Sequence, residues 1–441
     1  MNAYATSGPL LSHKPRAALV STLSKALYAP VASPDFVFLM ALAAMLFRPP
    51  DLKSFPVDRV AFLALLAIVA AQLVVTRQRL RTYSASWPML ALLLLGLRGV
   101  LTQAYQAQAW SLLAAKWIVP VALFHVAGIV FRDDASLRRL ETFCIVTLLY
   151  LAAIAVFFLF DLRTLIVPRF ILDESIGIHA DRARGPFLQA VANGVSLNLL
   201  GLLALHSFER QRIRGLIRGA LLISVPLALL ATRTRAVWFA AGISIVLIAV
   251  SGPSRRLRRA GLMFCALAVV GTSVLVAYRA DSSELAERFA DRSPVDFRLD
   301  MYRAGWQMFT EKPLKGWGSE GIIQPEIERR ISNFHPEYYL FHNTYLELAV
   351  ERGLLGLGLY AWLMLSFMRL RRPPNERYTG ESEFLGRGFR KMWPLLLLVY
   401  LLNASAVVMN YQFVNGLVFT LAGILAAQGT GTQSRREQAR T

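Results

Sequence analysis

The stretch His342-Asn343-Thr344-Tyr345-Leu346-Glu347-Leu348-Ala349-Val350-Glu351-Arg352-Gly353-Leu354-Leu355-Gly356 runs straight into Leu357-Gly358-Leu359-Tyr360-Ala361-Trp362-Leu363-Met364-Leu365. A polar, titratable segment gives way to an apolar one with glycines at close-packing spacing, the pattern of a helix passing from a membrane surface into lipid. His342 therefore stands at the threshold between a long polar loop and a membrane helix, where a proton-accepting side chain meets the edge of the bilayer.

Outward from this junction the composition agrees. Hydrophobic residues make up 55% of the 441 and charged residues only 17%, with a mean hydropathy of +0.45, far more apolar than a soluble domain of this length needs. The chain reads as a polytopic membrane protein. A formal charge of +20 would suggest nucleic acid in a soluble protein, but here Lys and Arg fall mostly between apolar runs, where they orient helices, so no nucleic-acid partner is expected. Cys144 and Cys265 lie inside apolar segments with no CxxC or Cys/His spacing and read as packing residues. The first apolar run, ending at Phe47, follows a basic leader with His13, Lys14, Arg16 and Lys25 and no small-residue cleavage site, so it reads as a retained span.

A membrane-crossing helix needs roughly 20 mostly apolar residues. Candidate segments lie at 34–47, 57–75, 88–102, 109–130, 138–160, 189–206, 215–231, 236–250, 260–278, 344–368, 392–409 and 411–428, which makes an all-α polytopic membrane protein of about twelve transmembrane helices. With the N-terminus inside, the cytoplasmic loops Thr76–Trp87, Arg132–Arg139, Glu209–Arg218, Ser254–Arg259 and Arg369–Lys391 all carry several Arg or Lys. The opposite loops Gln103–Gln108 and Met409–Phe413 carry none, the asymmetry that keeps positive residues in the cytoplasm. Arg48–Arg59 is the one contrary loop. The chain then divides into a cytoplasmic N-terminal segment at 1–33, helices one to nine at 34–278 with an external loop at 161–187, a large loop at 279–343 between spans nine and ten, helices ten to twelve at 344–428, and a cytoplasmic tail at 429–441.

This topology puts Asp161–Phe187, the turn Thr232-Arg233-Thr234-Arg235 and the long loop Arg279–Phe341 together on the external face. The long loop is partly helical: Ser293-Pro294-Val295-Asp296 supplies an N-cap, a proline at N1 and an acid near N3, launching an amphipathic helix through Trp306 and Phe309. Pro313, Gly316 and Gly318 then break it, and the loop is expected to pack on the membrane part as a cap.

Cations on that outer face are discouraged unless they have a task. Arg184, Arg233 and Arg235 are candidates for binding a phosphate through bidentate, charge-assisted hydrogen bonds; the alternative is snorkelling to headgroups or pairing with Asp173 or Asp181. Arg98 and Lys116 lie in the outer third of apolar spans and extend the same candidate site below the surface, against a structural ion pair or snorkelling as the alternative. His342, with an ordinary pKa of about 6.5, can accept a proton and later surrender it. Tyr345 and Leu346 share its helix face whereas Glu347 is rotated away, so no His-Glu dyad is expected. His335 reads as structural or acceptor-facing. No HExxH or DxD motif and no flanking carboxylates at ligand spacing occur, so no metal is expected; no GxxxxGK[ST] loop occurs, so neither is a nucleotide. A reaction on the external face must use an already activated substrate, and a lipid diphosphate meets that need.

On these residues the chain resembles the bacterial O-antigen ligase and polymerase superfamily. The ligase pattern of His, then Asn, Ser or Gln, nine residues, Gly, two residues and Gly is met by His342, Asn343, Gly353 and Gly356. Arg184-Gly185-Pro186-Phe187, Thr232-Arg233-Thr234-Arg235 and Pro313-Leu314-Lys315-Gly316-Trp317-Gly318 are further matches, together covering about 180–360. The resemblance implies transfer of O-antigen polysaccharide from undecaprenyl diphosphate to a sugar hydroxyl of lipid A-core, on the periplasmic face of the bacterial inner membrane, with no cofactor. His342 would activate or orient the acceptor and the arginines would hold the diphosphate, with inversion at the anomeric carbon if the displacement is direct. An O-antigen polymerase uses the same donor with a second lipid-linked glycan as acceptor. A protein O-oligosaccharyltransferase tends to carry more sequence after the last span. A lipid-linked glycan transporter would carry paired charges through the midplane.

Overall fold

The computed structural model describes residues 33–48, 56–210, 215–252, 255–278, 293–318, 320–331, 341–371 and 384–438. His335 and the basic N-terminal leader lie outside them. Among the described residues there is no strand, as expected where lipid offers no hydrogen bonds and each segment must satisfy its own backbone. The helices are α1 (Pro34–Phe47), α2 (Val57–Thr76), α3 (Ser86–Leu101), α4 (Ala107–Val130), α5 (Asp134–Leu159), α6 (Ala190–Glu209), α7 (Gly215–Ala231), α8 (Arg235–Ser251), α9 (Arg255–Tyr278), α10 (Ser293–Glu311), α11 (Glu320–Glu328), α12 (Thr344–Arg369), α13 (Arg387–Ala404) and α14 (Gln412–Gln438).

Every apolar run marked out in the sequence falls on a helix, and α10 and α11 are helices of the long loop. The helices α2, α4, α5, α6 and α12 are long and apolar enough to cross a membrane, and α1, α3, α7 and α8 are shorter apolar helices. The chain is thus a multi-pass, helical membrane protein. Three boundaries differ from expectation. The run expected to end at 409 stops at Ala404, and α13 begins inside what reads as a cytoplasmic loop. It can do so because Arg390, 5% exposed, gives its charge-bearing N–H groups to Leu370 O, Leu425 O and Gln428 Oε1 at 2.5, 3.0 and 2.9 Å. At the C-terminus, α14 continues as helix to Gln438, through most of the expected tail.

The centre of the bundle is α14, buried without interruption from Phe413 to Ala426, packed mainly against the second half of α4. Small residues allow the approach: a Cβ on Gly128 would lie 2.7 Å from Ala427 Cβ, and Gly423 faces the Phe124 carbonyl. Apart from the large core, α10 and α11 form a second, smaller one with the first half of α12, built from Met301, Met308, Ile323, Ile327, Phe341 and Val350. The start of α10 at Ser293 matches the Ser-Pro signal, but its buried face is Met301, Ala304 and Met308, whereas Trp306 is 62% exposed and touches Phe309. The period of the helix, with apolar residues recurring at i, i+3 and i+7, chose the methionine face over the aromatic one. The segment 161–187 is a chain of short 3₁₀ turns pinned to the end of α5 by Ile166 and Ile171 against Ile154.

Candidate functional site

The glycine pattern in α12 is a hydrogen-bond exchange with the cap. At Gly353 (φ 61°, ψ −159°) the helix is interrupted, and Leu354 N–H and Leu355 N–H donate to Pro313 O and Leu314 O at 2.7 and 3.4 Å. The carbonyls they would have met four residues earlier, Val350 O and Glu351 O, accept instead from Trp317 N–H and Gly318 N–H at 2.8 and 3.0 Å. The two amides and two carbonyls freed by the break are thus all paired, so it is tolerated in a membrane helix. Only glycine fits: Cβ atoms on Gly353 and Gly316 would lie 2.5 Å from the Leu314 carbonyl and from the Arg352 nitrogen respectively, and both residues have positive φ. Pro313–Gly318 and Gly353, separate as motifs, are one joint.

At the other end of the same segment, Asn343 is the N-cap of α12: its Oδ1 accepts from Tyr345 N–H and Leu346 N–H at 2.9 and 3.1 Å. The polar residue after the histidine is therefore explained by capping, and it fixes where His342 sits. His342 is half-buried in a left-handed conformation, φ 49°. Burial, then the charges of Arg298 on α10 and His179 on the 161–187 segment, push its pKa down to about 4. It is a neutral acceptor across the whole neutral range. Of the described non-glycine residues with positive φ, Asp161 and His179 lie in the 161–187 segment, Leu188 directly after it, Arg233 in the Thr232–Arg235 turn and His342 just before α12. Such conformations cost on the order of 1–3 kcal/mol each and gather at functional sites.

Arg184 goes elsewhere than the sequence suggests. It is 2% exposed, and its guanidinium donates to Ile171 O at 2.9 Å, Ile176 O at 2.6 Å and Asp173 O. This is a brace that closes the 161–187 segment on itself. Asn193 Nδ2 holds Ala183 O at 2.8 Å, and Ala183 N–H donates to Ala231 O at 3.1 Å, so the Arg184 segment and the Thr232–Arg235 turn are side by side. Arg235 is exposed at the first residue of α8, and Arg233 is half-buried. Arg184→Lys is expected to lower stability by about 2–4 kcal/mol, because one ammonium cannot serve three carbonyls set for a planar fork. Thermal unfolding checks this; an unchanged midpoint with lost donor binding would instead put the guanidinium on the substrate.

Lys116 is not with those arginines. It sits on a π-helical turn, Ala114–Ile118, within α4, and pairs with Glu347 at 2.8 Å and Glu351 at 3.7 Å, all three side chains at most 16% exposed. Glu347, rotated away from His342, finds its partner there. Arg352 donates to Leu92 O at 2.9 Å and its Cζ lies 5.3 Å from the centroid of the Trp117 ring. These side chains line an open cavity between α3, α4 and α12, which Phe341 and Gly318 also border. Arg98 is exposed near the end of α3 and does not line it. Sequence reading missed Glu347, Glu351, Arg352 and Trp117; the signal was present in two glutamates four residues apart, which share a helix face, in an otherwise apolar helix. It also missed Arg298 and His179, which no local spacing connects to His342.

The described residues thus form a multi-pass helical bundle in which His342, Arg298 and His179 come together from three separate segments. Residues 219–361, from α7 into α12, match the family model described as O-Antigen ligase; this third of the chain is similar to that family, and the match supports a membrane glycosyl-transferring protein of the O-antigen ligase and polymerase superfamily. The match takes in the Thr232–Arg235 turn, α10, the Pro313–Gly318 joint and the His342–Gly356 segment. No curated protein matches the chain.

Proposed function

We propose that this chain is an O-antigen ligase: a metal-independent glycosyltransferase that moves O-antigen polysaccharide from undecaprenyl diphosphate to a sugar hydroxyl of lipid A-core on the periplasmic face of the inner membrane. The twelve-span topology read from charge asymmetry gives the site that sidedness. The observation carrying the proposal is His342, held neutral in a strained conformation at the foot of the cap, beside Arg298 and His179.

In this reading the acceptor hydroxyl donates a hydrogen bond to a ring nitrogen of His342, and its oxygen attacks the anomeric carbon of the donor. The bond from that carbon to the diphosphate oxygen breaks, its electron pair leaves with the diphosphate, and the hydroxyl proton passes to His342. With a pKa of about 4 the imidazole is a weak base, so its first contribution is orientation, and the proton moves on to the departing diphosphate, which regenerates neutral His342. Arg233, Arg235 and Arg298 supply cations for the charge that grows on the leaving group. Arg235 adds to the positive end of α8, a natural anion site. Arg184 shapes the segment that carries His179. Lys116, already neutralised by two carboxylates, and Arg98 are left to other roles.

The sign of the His342 shift sets a pH dependence. A lowered pKa means the neutral, hydrogen-bond-accepting form persists down to about 4, so kcat/KM, which reports the free enzyme, is expected to be level from about pH 8 to pH 5 and to fall below it. Half-maximal activity near the ordinary histidine value of about 6.5 would contradict the placement of His342. Reconstitution in vesicles with lipid-linked glycan and purified lipid A-core separates the activities. A capped lipid A-core supports the ligase, chain lengthening without acceptor a polymerase, and movement without covalent change a transporter.

A further inference from the structure

The cavity between α3, α4 and α12 holds more polar chemistry than its ion pairs require. Trp117 is 5% exposed and lines this cavity and the deeper one behind it, yet its indole N–H has no hydrogen-bond partner in the structure. Leaving such a donor buried and unmatched costs about 1–3 kcal/mol. Three other indoles avoid that cost: the N–H groups of Trp238, Trp317 and Trp393 each donate to a backbone carbonyl at 2.7 Å. Beside the unmatched donor stand two carboxylates, Glu347 and Glu351, and two cations, Lys116 and Arg352. The four charges cancel, so the cavity does not select an anion as a diphosphate site must. It offers acceptors and N–H donors in alternation, next to an aromatic edge, which is what vicinal hydroxyl groups need.

We infer that this cavity is a glycan subsite for one uncharged sugar unit, its hydroxyls meeting Glu347, Glu351, Lys116, Arg352 and the Trp117 N–H. The inference rests on the transferase reading above and specifies where a substrate's sugar chain runs. Phe341 borders the cavity immediately before His342, and Glu347 lies in the first turn of α12, which begins two residues after His342. A sugar bound there belongs to the same chain as the unit reacting at His342. That chain is either the acceptor core or the donor glycan, which share this chemistry.

The test uses purified full-length protein in nanodiscs and two probes: core oligosaccharide freed from lipid A by mild acid, and O-antigen glycan freed from its lipid diphosphate. Binding is measured by calorimetry for the wild type, Trp117→Phe and Glu351→Gln. Trp117→Phe keeps the ring beside Arg352 and removes only the unmatched N–H, so its unfolding midpoint is expected to stay at the wild-type value. One oligosaccharide is expected to bind, about fivefold to tenfold more weakly in each variant, and the one that binds names the source. Absence of binding by both probes, or equal binding by wild type and both variants, would overturn the subsite. Trp117-dependent binding in a preparation that forms no capped product would sink the transferase reading and leave the subsite standing.

Discussion

His342→Ala is expected to lower the rate of glycan transfer by about 10²–10⁴-fold, the usual contribution of a positioned proton acceptor, with the protein still folded and inserted. The side chain is half-buried, and the bond nearest to it, from Tyr302 Oη to His342 O at 3.4 Å, uses the backbone and survives the substitution. Asn343 continues to cap α12, so the segment keeps its place. The comparison with His342→Gln separates two roles. Glutamine offers a hydrogen-bond acceptor that does not titrate, so partial activity in Gln and none in Ala would assign orientation, and equal loss in both would assign proton acceptance. Wild-type amounts of capped lipopolysaccharide in the alanine variant would remove His342 from the mechanism.

Gly353→Ala is expected to destabilise the protein by about 3–5 kcal/mol, in the range reserved for strain and clashes at special backbone positions. The new Cβ would lie 2.5 Å from backbone atoms of Leu314 and Pro313, at φ 61°. Neither the helix nor the cap can give way without losing the four exchanged hydrogen bonds that join them. The cap should loosen, which limited proteolysis between α10 and α12 would detect, and transfer should fall with it. Gly358→Ala is the matched control: the same helix, with nothing within 4 Å of the added atom, where alanine is neutral or stabilising by up to about 1 kcal/mol. Equal unfolding midpoints for Gly353→Ala and Gly358→Ala would contradict the joint.

These two residues also show how far the sequence could be read. The helices were legible because each membrane segment carries its own apolar signal, and α10 because Ser293-Pro294 announces a helix start. The glycine pattern was legible as spacing but not as cause: the hydrogen bonds that explain it link Pro313 to Leu354 across the cap, and no local rule connects them. Arg184 was readable as an important cation, yet a guanidinium fork serves backbone carbonyls as well as phosphates, and only the curl of residues 171–176 around it decides which. Lys116 was recognised as out of place in an apolar span, while its partners lie more than two hundred residues away in α12. The His342 environment was half legible. Its position at the junction followed from the sequence, but Arg298 and His179 reach it through the fold of two separate segments.

The most direct test of a direct displacement governed by His342 is a single-turnover reaction of purified protein in vesicles, with a donor of defined anomeric configuration, lipid A-core acceptor and a chelator present. The new linkage is examined by NMR and the freed lipid is quantified. One undecaprenyl diphosphate released for each glycan joined to lipid A-core, with the anomeric configuration inverted and the product absent in His342→Ala, is the expected result. Retention of configuration, or release of lipid diphosphate without a capped product, would contradict it.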